Sequence, residues 1–174
     1  MANAAGMIYE SIWRDQDWRQ LSIRAQRLYM QLLSQKELDC AGMLPLQPDK
    51  WATGCDEYTA AMVWEDLAEL QQARFVYYDT DTFEVFIRTY IRNSNVMKVP
   101  NMRKSACRSA LLVGSDAMKV VLAAELRATG DLDCLAAAEQ INPSGTLLEP
   151  FANPSETEPF RNPSGTHGCG EGYG

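Results

Sequence analysis

Apolar and polar positions are most regularly spaced between residues 59 and 92, where a helical repeat gives way to strand-like runs. Ala60, Val63 and Leu67 recur every three or four positions, which places them on one face of a helix. Thr59 suits the N-cap of this helix because its hydroxyl can accept a hydrogen bond from a free backbone N–H. The aromatic and β-branched runs FVYYD and FEVFIRTY follow, joined by a polar Asp-Thr-Asp-Thr turn. The pattern predicts a helix that leads directly into a β-hairpin.

The preceding residues supply the other elements of a winged helix-turn-helix. Ser22 is a candidate N-cap for a helix that runs to about Gln35, since apolar side chains repeat there at helical spacing. The residues MLPLQ predict a short strand, and Pro48 marks the start of a helix that ends near Gly54. The order helix, strand, helix, helix and hairpin predicts a winged helix-turn-helix. An unrelated small α+β domain built from the same elements is the alternative.

Two or three more helices are predicted after the hairpin. Residues 93–99 should be irregular or extended, because a residue before proline avoids helical backbone angles. One helix is expected from Pro100, another starts at Ser115 and ends at Gly130, and a short one can follow. The predicted fold class is therefore α+β, mostly α.

The chain divides into three predicted regions. Residues 1–92 form the winged-helix domain, and residues 93–141 form a basic linker with a helical extension. From residue 142 the motifs NPSGT and NPSET recur in a Pro-, Ser- and Gly-rich segment. A segment of this composition buries too little apolar surface to offset the entropic cost of ordering its backbone. Residues 142–174 are therefore predicted to be a disordered tail.

Charge is distributed unevenly along the chain. The net charge is −7, yet residues 88–128 carry eight basic and two acidic side chains. Residues 37–87 carry two basic and eleven acidic side chains. An acidic average therefore conceals a concentrated basic segment, and it does not exclude a nucleic-acid partner.

Neither a membrane segment nor an enzyme site is apparent. No apolar run reaches the ~20 residues that a membrane span needs, and the N-terminus lacks the regions of a secretory signal. We therefore expect the protein in the cytoplasm. His167 is the one histidine, the five cysteines are widely spaced, and phosphate-loop and nucleophile-elbow motifs are missing. The sequence predicts neither catalysis nor a metal or other cofactor.

The basic segment is the strongest candidate site. It spans the second hairpin strand and the helix from Pro100, and its grouped cations suit DNA phosphates. A helix-turn-helix would add Thr59 at the start of the third helix, and Arg24 and Arg27 if the first helix lies beside the patch. A solvated basic face that pairs with the acidic segment is the alternative. The candidate DNA-binding residues are Arg24, Arg27, Thr59, Arg88, Arg92, Lys98, Asn101, Arg103, Lys104 and Arg108.

The third helix is a less suitable reader of DNA. Glu65, Asp66 and Glu69 occupy its middle, where carboxylates on an exposed face would repel phosphates. Trp64 lies beside the apolar face and is expected to serve the core or an interface. We therefore expect DNA contacts on the wing and on the helix that follows it.

Several segments together resemble a known group of proteins. The segments IYESIWRD, LSIRAQRLYMQLLSQ, AGMLPLQPDKWA, FIRTYIRN and VMKVPNMRKSA are similar to N-terminal winged-helix domains of phage and actinobacterial replisome-organiser or DnaD-like replication initiation proteins. The resemblance covers roughly residues 7–128. It implies binding of double- or single-stranded DNA in (pro)phage replication initiation. A replicative helicase or helicase loader, and further copies of the chain, are then candidate partners.

Two other functions fit the same predicted fold. The chain could be a transcriptional regulator, which would bind promoters through the same basic surface. It could instead be a protein-interaction module that uses Trp64 and the acidic surface against a host protein and does not bind DNA.

Overall fold

The secondary-structure order of a winged helix-turn-helix is present in the computed structural model, which describes residues 7–143. The predicted α+β class with mostly helical content is confirmed. A 3₁₀ helix, Glu10–Arg14, precedes the winged-helix elements. The winged-helix elements and their N-terminal helix are α1 Gln16–Gln20, α2 Ile23–Leu33, β1 Met43–Pro45, α3 Pro48–Ala52, α4 Ala60–Gln72, β2 Val76–Asp79 and β3 Glu84–Ile87.

The sheet is antiparallel, and its strands lie in the order β1-β3-β2. Phe86 of β3 lies opposite Met43 of β1 and Tyr77 of β2, so the central strand is paired on both sides. Val85, Phe86 and Ile87 are fully buried, as expected for the centre of a small sheet covered by helices.

The second hairpin strand is shorter than the aromatic run predicts. It ends at Ile87, which pairs with Val76, the first residue of β2. The Arg88 N–H still donates to the Phe75 carbonyl at 3.2 Å, and the backbone then turns into a short helix, α5 Tyr90–Asn93. The strand prediction for FEVFIRTY is therefore wrong for its last three residues, so that Arg88 lies just beyond β3 and Arg92 lies on α5.

The helix-turn-helix core follows the predicted apolar periods. Ala25, Leu28 and Leu32 of α2 are fully buried, as are Val63 and Leu67 of α4. The predicted N-caps are confirmed: the Ser22 hydroxyl accepts from the Ala25 N–H at 3.1 Å, and the Thr59 hydroxyl from the Met62 N–H at 3.3 Å. Local sequence signals and burial thus agree on the orientation of both helices.

Gly42 allows the chain to approach the wing closely. Its φ is +86°, and a Cβ at this position would lie 2.8 Å from Cβ of Tyr90. The Gly42 carbonyl accepts from the Ile87 N–H at 2.8 Å, which extends the β1–β3 pairing. Any side chain here would combine an unfavourable backbone angle with a steric clash.

Three helices follow α5: α6 Pro100–Ala110, α7 Asp116–Ala128 and α8 Leu132–Ile141. The segment expected to be irregular before Pro100 instead contains the 3₁₀ helix Asn95–Lys98. The turn between α6 and α7 is attached to the wing, since Glu84 accepts from the backbone N–H groups of Gly114 at 2.9 Å and Ser115 at 2.8 Å. Apart from its first two residues, the predicted tail lies outside the described residues.

Candidate nucleic-acid interface

Four of the predicted DNA-binding residues form an exposed stripe. Asn101, Lys104 and Arg108 lie three and four positions apart on α6, which places them on one helix face. Lys98 comes just before them at the end of the 3₁₀ helix. All four are exposed, and none of the three cations forms a salt bridge within residues 7–143. We call Lys98, Asn101, Lys104 and Arg108 the α6 stripe.

Arg103 is separated from the stripe by its contact with α8. Its Nε lies 3.2 Å from Oδ2 of Asp131, and both side chains are largely buried. Asp131 also accepts from backbone N–H groups as the N-cap of α8. Arg103 therefore joins α6 to α8, and its charge is compensated inside the protein.

Arg88 and Arg92 share a single carboxylate. Arg88 Nε donates to Oε1 of Glu125 at 3.0 Å, and Arg92 Nε donates to Oε2 at 2.7 Å. The exposed fractions of the three side chains are 13%, 15% and 7%. The two arginines thus attach α7 to the wing and to α5, and they present little surface to a ligand. Their assignment as phosphate contacts conflicts with this burial.

The two arginines of α2 also have internal partners. Arg24 lies 2.8 Å from Glu65 and 3.3 Å from Asp66 of α4. The guanidinium of Arg27 lies 4.7 Å from the centre of the Tyr58 ring, a cation–π geometry. Both residues therefore stabilise the junction of α2 and α4. Thr59 remains exposed at the start of α4, where its hydroxyl serves the cap.

The carboxylates of α4 do not form the solvated face that their sequence positions suggest. Asp66 is fully buried and accepts the hydroxyl proton of Tyr58 in a hydrogen bond. Burial raises the pKa of Asp66 above its ordinary value, although Tyr58 and Arg24 oppose this shift. Glu69 accepts from the backbone N–H of Ser22 at 2.6 Å and from its hydroxyl at 2.7 Å.

The exposed side of α4 is consequently less acidic than predicted. It presents Ala61, Trp64, Glu65, Ala68 and Gln72. Glu65 is the one carboxylate of this set, and Arg24 is its partner. The expectation that all three carboxylates lie on an exposed face is therefore wrong for Asp66, whereas Glu69 is half-buried and bonded to Ser22.

Sequence reasoning missed Glu125, although a signal for it exists. This residue is the one carboxylate in the apolar run VVLAAEL of α7, a position where a charge needs a buried partner. The partners lie 37 and 33 residues earlier. A carboxylate on a predicted apolar face therefore indicates that some basic residues of the chain pair with it and cannot contact a ligand.

The chain matches no protein-family model, no curated protein and no solved structure. Within residues 7–143, no group of three or more His, Cys, Asp or Glu side chains is placed to hold a metal ion. None of the helices of this described part has the length and apolar character needed to cross a bilayer.

Proposed function

We propose that the chain is a DNA-binding winged-helix protein that holds the phosphate backbone through the α6 stripe. The observation that carries this proposal is the exposure of Lys98, Lys104 and Arg108 without carboxylate partners among residues 7–143, the last two on one face of α6 and Lys98 shortly before that helix. Grouped cations of this kind displace counterions from DNA, which makes the association favourable and dependent on salt. Asn101 adds an amide that can donate to a phosphate oxygen or to a base edge.

The neighbouring surfaces support α6 as the principal contact. Arg24, Arg88, Arg92 and Arg103 are engaged with carboxylates, so they add little to the external field. The wing itself has no Lys or Arg in residues 76–87. Binding should therefore be centred on α6, and the start of α4 at Thr59 can contribute only neutral groups. This arrangement favours contacts to the DNA backbone over reading of bases in the major groove.

A role in (pro)phage replication initiation is supported by the segment resemblance described above. In that role the α6 stripe would hold origin or single-stranded DNA while another surface recruits a helicase or helicase loader. Regulation of transcription is the alternative use of the same DNA contact. The location of the bound sites in a genome distinguishes the two.

The DNA contact is tested with a charge-matched pair of triple variants. In the first, Lys98, Lys104 and Arg108 are changed to Ala; in the second, Arg14, Arg19 and Lys36, three exposed cations outside the stripe, are changed to Ala. Fluorescence anisotropy with a short labelled duplex and its single strand gives the affinity at several salt concentrations. The stripe variant should lower the slope of log K against log salt by about 2–3, at ~0.9 per phosphate contact.

The control variant removes the same net charge and should leave most of that slope in place. Equal losses in both variants would mean that net charge, and not the α6 stripe, drives binding. If the wild-type chain binds neither DNA form at low salt, the proposed function is wrong.

Footprinting on the genomic region that encodes the chain separates the two roles. Protection at repeated sites within a replication region supports initiation. Protection limited to a promoter would instead assign the chain to transcriptional regulation.

A further inference from the structure

A groove with exposed aromatic walls is lined by residues outside the α6 stripe. It is an open space of about 540 Å³ between α3, α4 and the wing. Its apolar lining consists of Leu46, Pro48, Trp64 and Phe83, and we call it the aromatic groove. Trp64 is 36% exposed and Phe83 is 67% exposed. Large aromatic side chains at such exposure mark a surface that gains by being covered.

Trp64 is held in place from behind. Its ring meets the ring of Tyr78 edge-on, with 5.7 Å between the centroids and 61° between the planes. Tyr78 is half-buried on β2, so the pair forms a firm wall rather than a mobile side chain. A wall of this kind can bind an apolar group without first losing much side-chain freedom.

Phe83 lies at the end of the wing turn in a backbone conformation that aromatic residues rarely adopt. Its φ is +55°, in the left-handed region where Cβ crowds the backbone and where glycine or asparagine is preferred. The conformation is retained because the Phe83 carbonyl accepts from the Leu46 N–H at 2.8 Å. The fold thus tolerates strain at a residue whose side chain contributes little to the core. Strain of this kind, at an exposed aromatic residue, points to a role in binding.

The rim of the aromatic groove is acidic. Asp49 lies in its lining and Asp81 in the adjoining turn, and both are exposed. Neither forms a salt bridge with another residue in the range 7–143, whereas Lys50, the one cation of the lining, lies 2.7 Å from Glu37. Such a rim repels phosphates and attracts cations.

We infer that the aromatic groove binds a cationic segment of a partner protein, with one apolar side chain of that segment inserted between Trp64 and Phe83. Lysine or arginine side chains beside this anchor would face Asp49 and Asp81. The combination of an aromatic pocket and an acidic rim defines the partner by its chemistry: an aromatic or leucine anchor flanked by basic residues. The residues of the aromatic groove are not members of the α6 stripe, although Phe83 also lines a second pocket with Ser109 of α6 and Leu112. The inference does not rest on DNA binding by α6.

The charges on the chain argue against the other occupants. DNA would bring phosphates towards the acidic rim. The chain's own C-terminal residues are acidic on average, with Glu149, Glu156, Glu158 and Glu171 against Arg161, although Phe160 and Arg161 are adjacent, so the measurements must exclude occupation by this segment. A second copy could offer Arg108 beside the exposed Leu112, and the experiment must distinguish that case.

The test selects peptides from a phage-displayed library of random short sequences on the full chain. The same library is counter-selected on the variant Phe83→Asn. Asparagine tolerates left-handed backbone angles, so this variant should fold and melt at the same or a higher temperature. Enriched peptides should share an aromatic or leucine residue flanked by lysine or arginine. A synthetic consensus peptide should bind Phe83→Asn about 10-fold more weakly than wild type, and Phe83→Asn/Asp81→Asn more weakly still.

A matched control is available on α8, where the exposed Leu132 is followed by the exposed Asp133. The variant Leu132→Asn/Asp133→Asn should bind the consensus peptide like wild type. Enrichment of acidic peptides, no enrichment above the counter-selection, or equal binding by Phe83→Asn would overturn the inference. A loss of DNA affinity in Phe83→Asn would also overturn it, because DNA would then be the occupant of the groove. A change in the sedimentation coefficient of this variant, without any enriched peptide, would overturn it in favour of a second copy of the chain.

Discussion

The two ends of the basic segment, alike in sequence, have opposite positions in the fold. At one end, Arg88 and Arg92 converge on Glu125 and are mostly buried. At the other end, Lys104 and Arg108 lie on an exposed face of α6. The difference arises because α7 covers the first pair and leaves the second uncovered. A count of charges along a sequence therefore overestimates the cations that a ligand can reach.

The largest expected effect comes from removing the shared carboxylate. Glu125→Ala leaves two largely buried arginines without the group that compensates their charge. Breaking a buried ion pair in this way should lower the free energy of unfolding by about 3 kcal/mol. Urea denaturation measures this value.

Glu139→Ala provides the exposed counterpart of that change. Glu139 lies 3.3 Å from Arg127 and is 64% exposed, so its loss should cost less than ~0.5 kcal/mol. If both variants lose similar stability, the Glu125 cluster has no special structural role.

A pair of single variants compares the two ends directly. Arg88→Ala removes a charged hydrogen bond to Glu125, so it should lower stability by about 2 kcal/mol and leave the salt slope of DNA binding unchanged. Arg108→Ala should leave stability almost unchanged and reduce that slope by ~0.9. Thermal melts and anisotropy titrations of the same samples supply both measurements. The reverse pattern would restore Arg88 as the phosphate contact.

The smallest expected effect is a pH dependence at the junction of α2 and α4. Burial raises the pKa of Asp66 above its ordinary value of 3.8, so Asp66 stays protonated up to a higher pH in the folded chain than in the unfolded chain. Stability attributable to Asp66 is therefore lost as the pH rises from 3.8 through the higher folded value. The unfolding free energy of wild type should therefore fall relative to that of Asp66→Asn as the pH rises through this range. A difference that stays constant with pH would contradict the raised pKa.

Local patterns were sufficient to predict most of the fold. Ser22, Thr59 and Ser115 cap the helices as their positions indicate, because capping depends only on a few neighbouring residues. The end of β3 was not predictable in the same way. β3 ends where the chain turns into α5, and the aromatic and β-branched run, which continues to Tyr90, contains no sign of that limit.

The candidate site was less predictable because it depends on distant partners. Lys104 and Arg108 could be placed on one face of α6 from their spacing alone. Arg88, Arg103 and the carboxylates of α4 find partners tens of residues away, and single-sequence reasoning does not reveal these pairs. Phe83 was also missed, since its left-handed backbone depends on a hydrogen bond from Leu46.

The contact between Glu69 and Ser22 has a consequence for how the chain opens. The cap of α2 is completed by a carboxylate 47 residues away on α4, so the N–H of Ser22 is protected only while the two helices are docked. We therefore expect the Ser22 amide to exchange its hydrogen with solvent through the opening that separates α2 from α4, and not through local fraying. The helix-turn-helix should then behave as one cooperative unit, which begins at the first turn of α2.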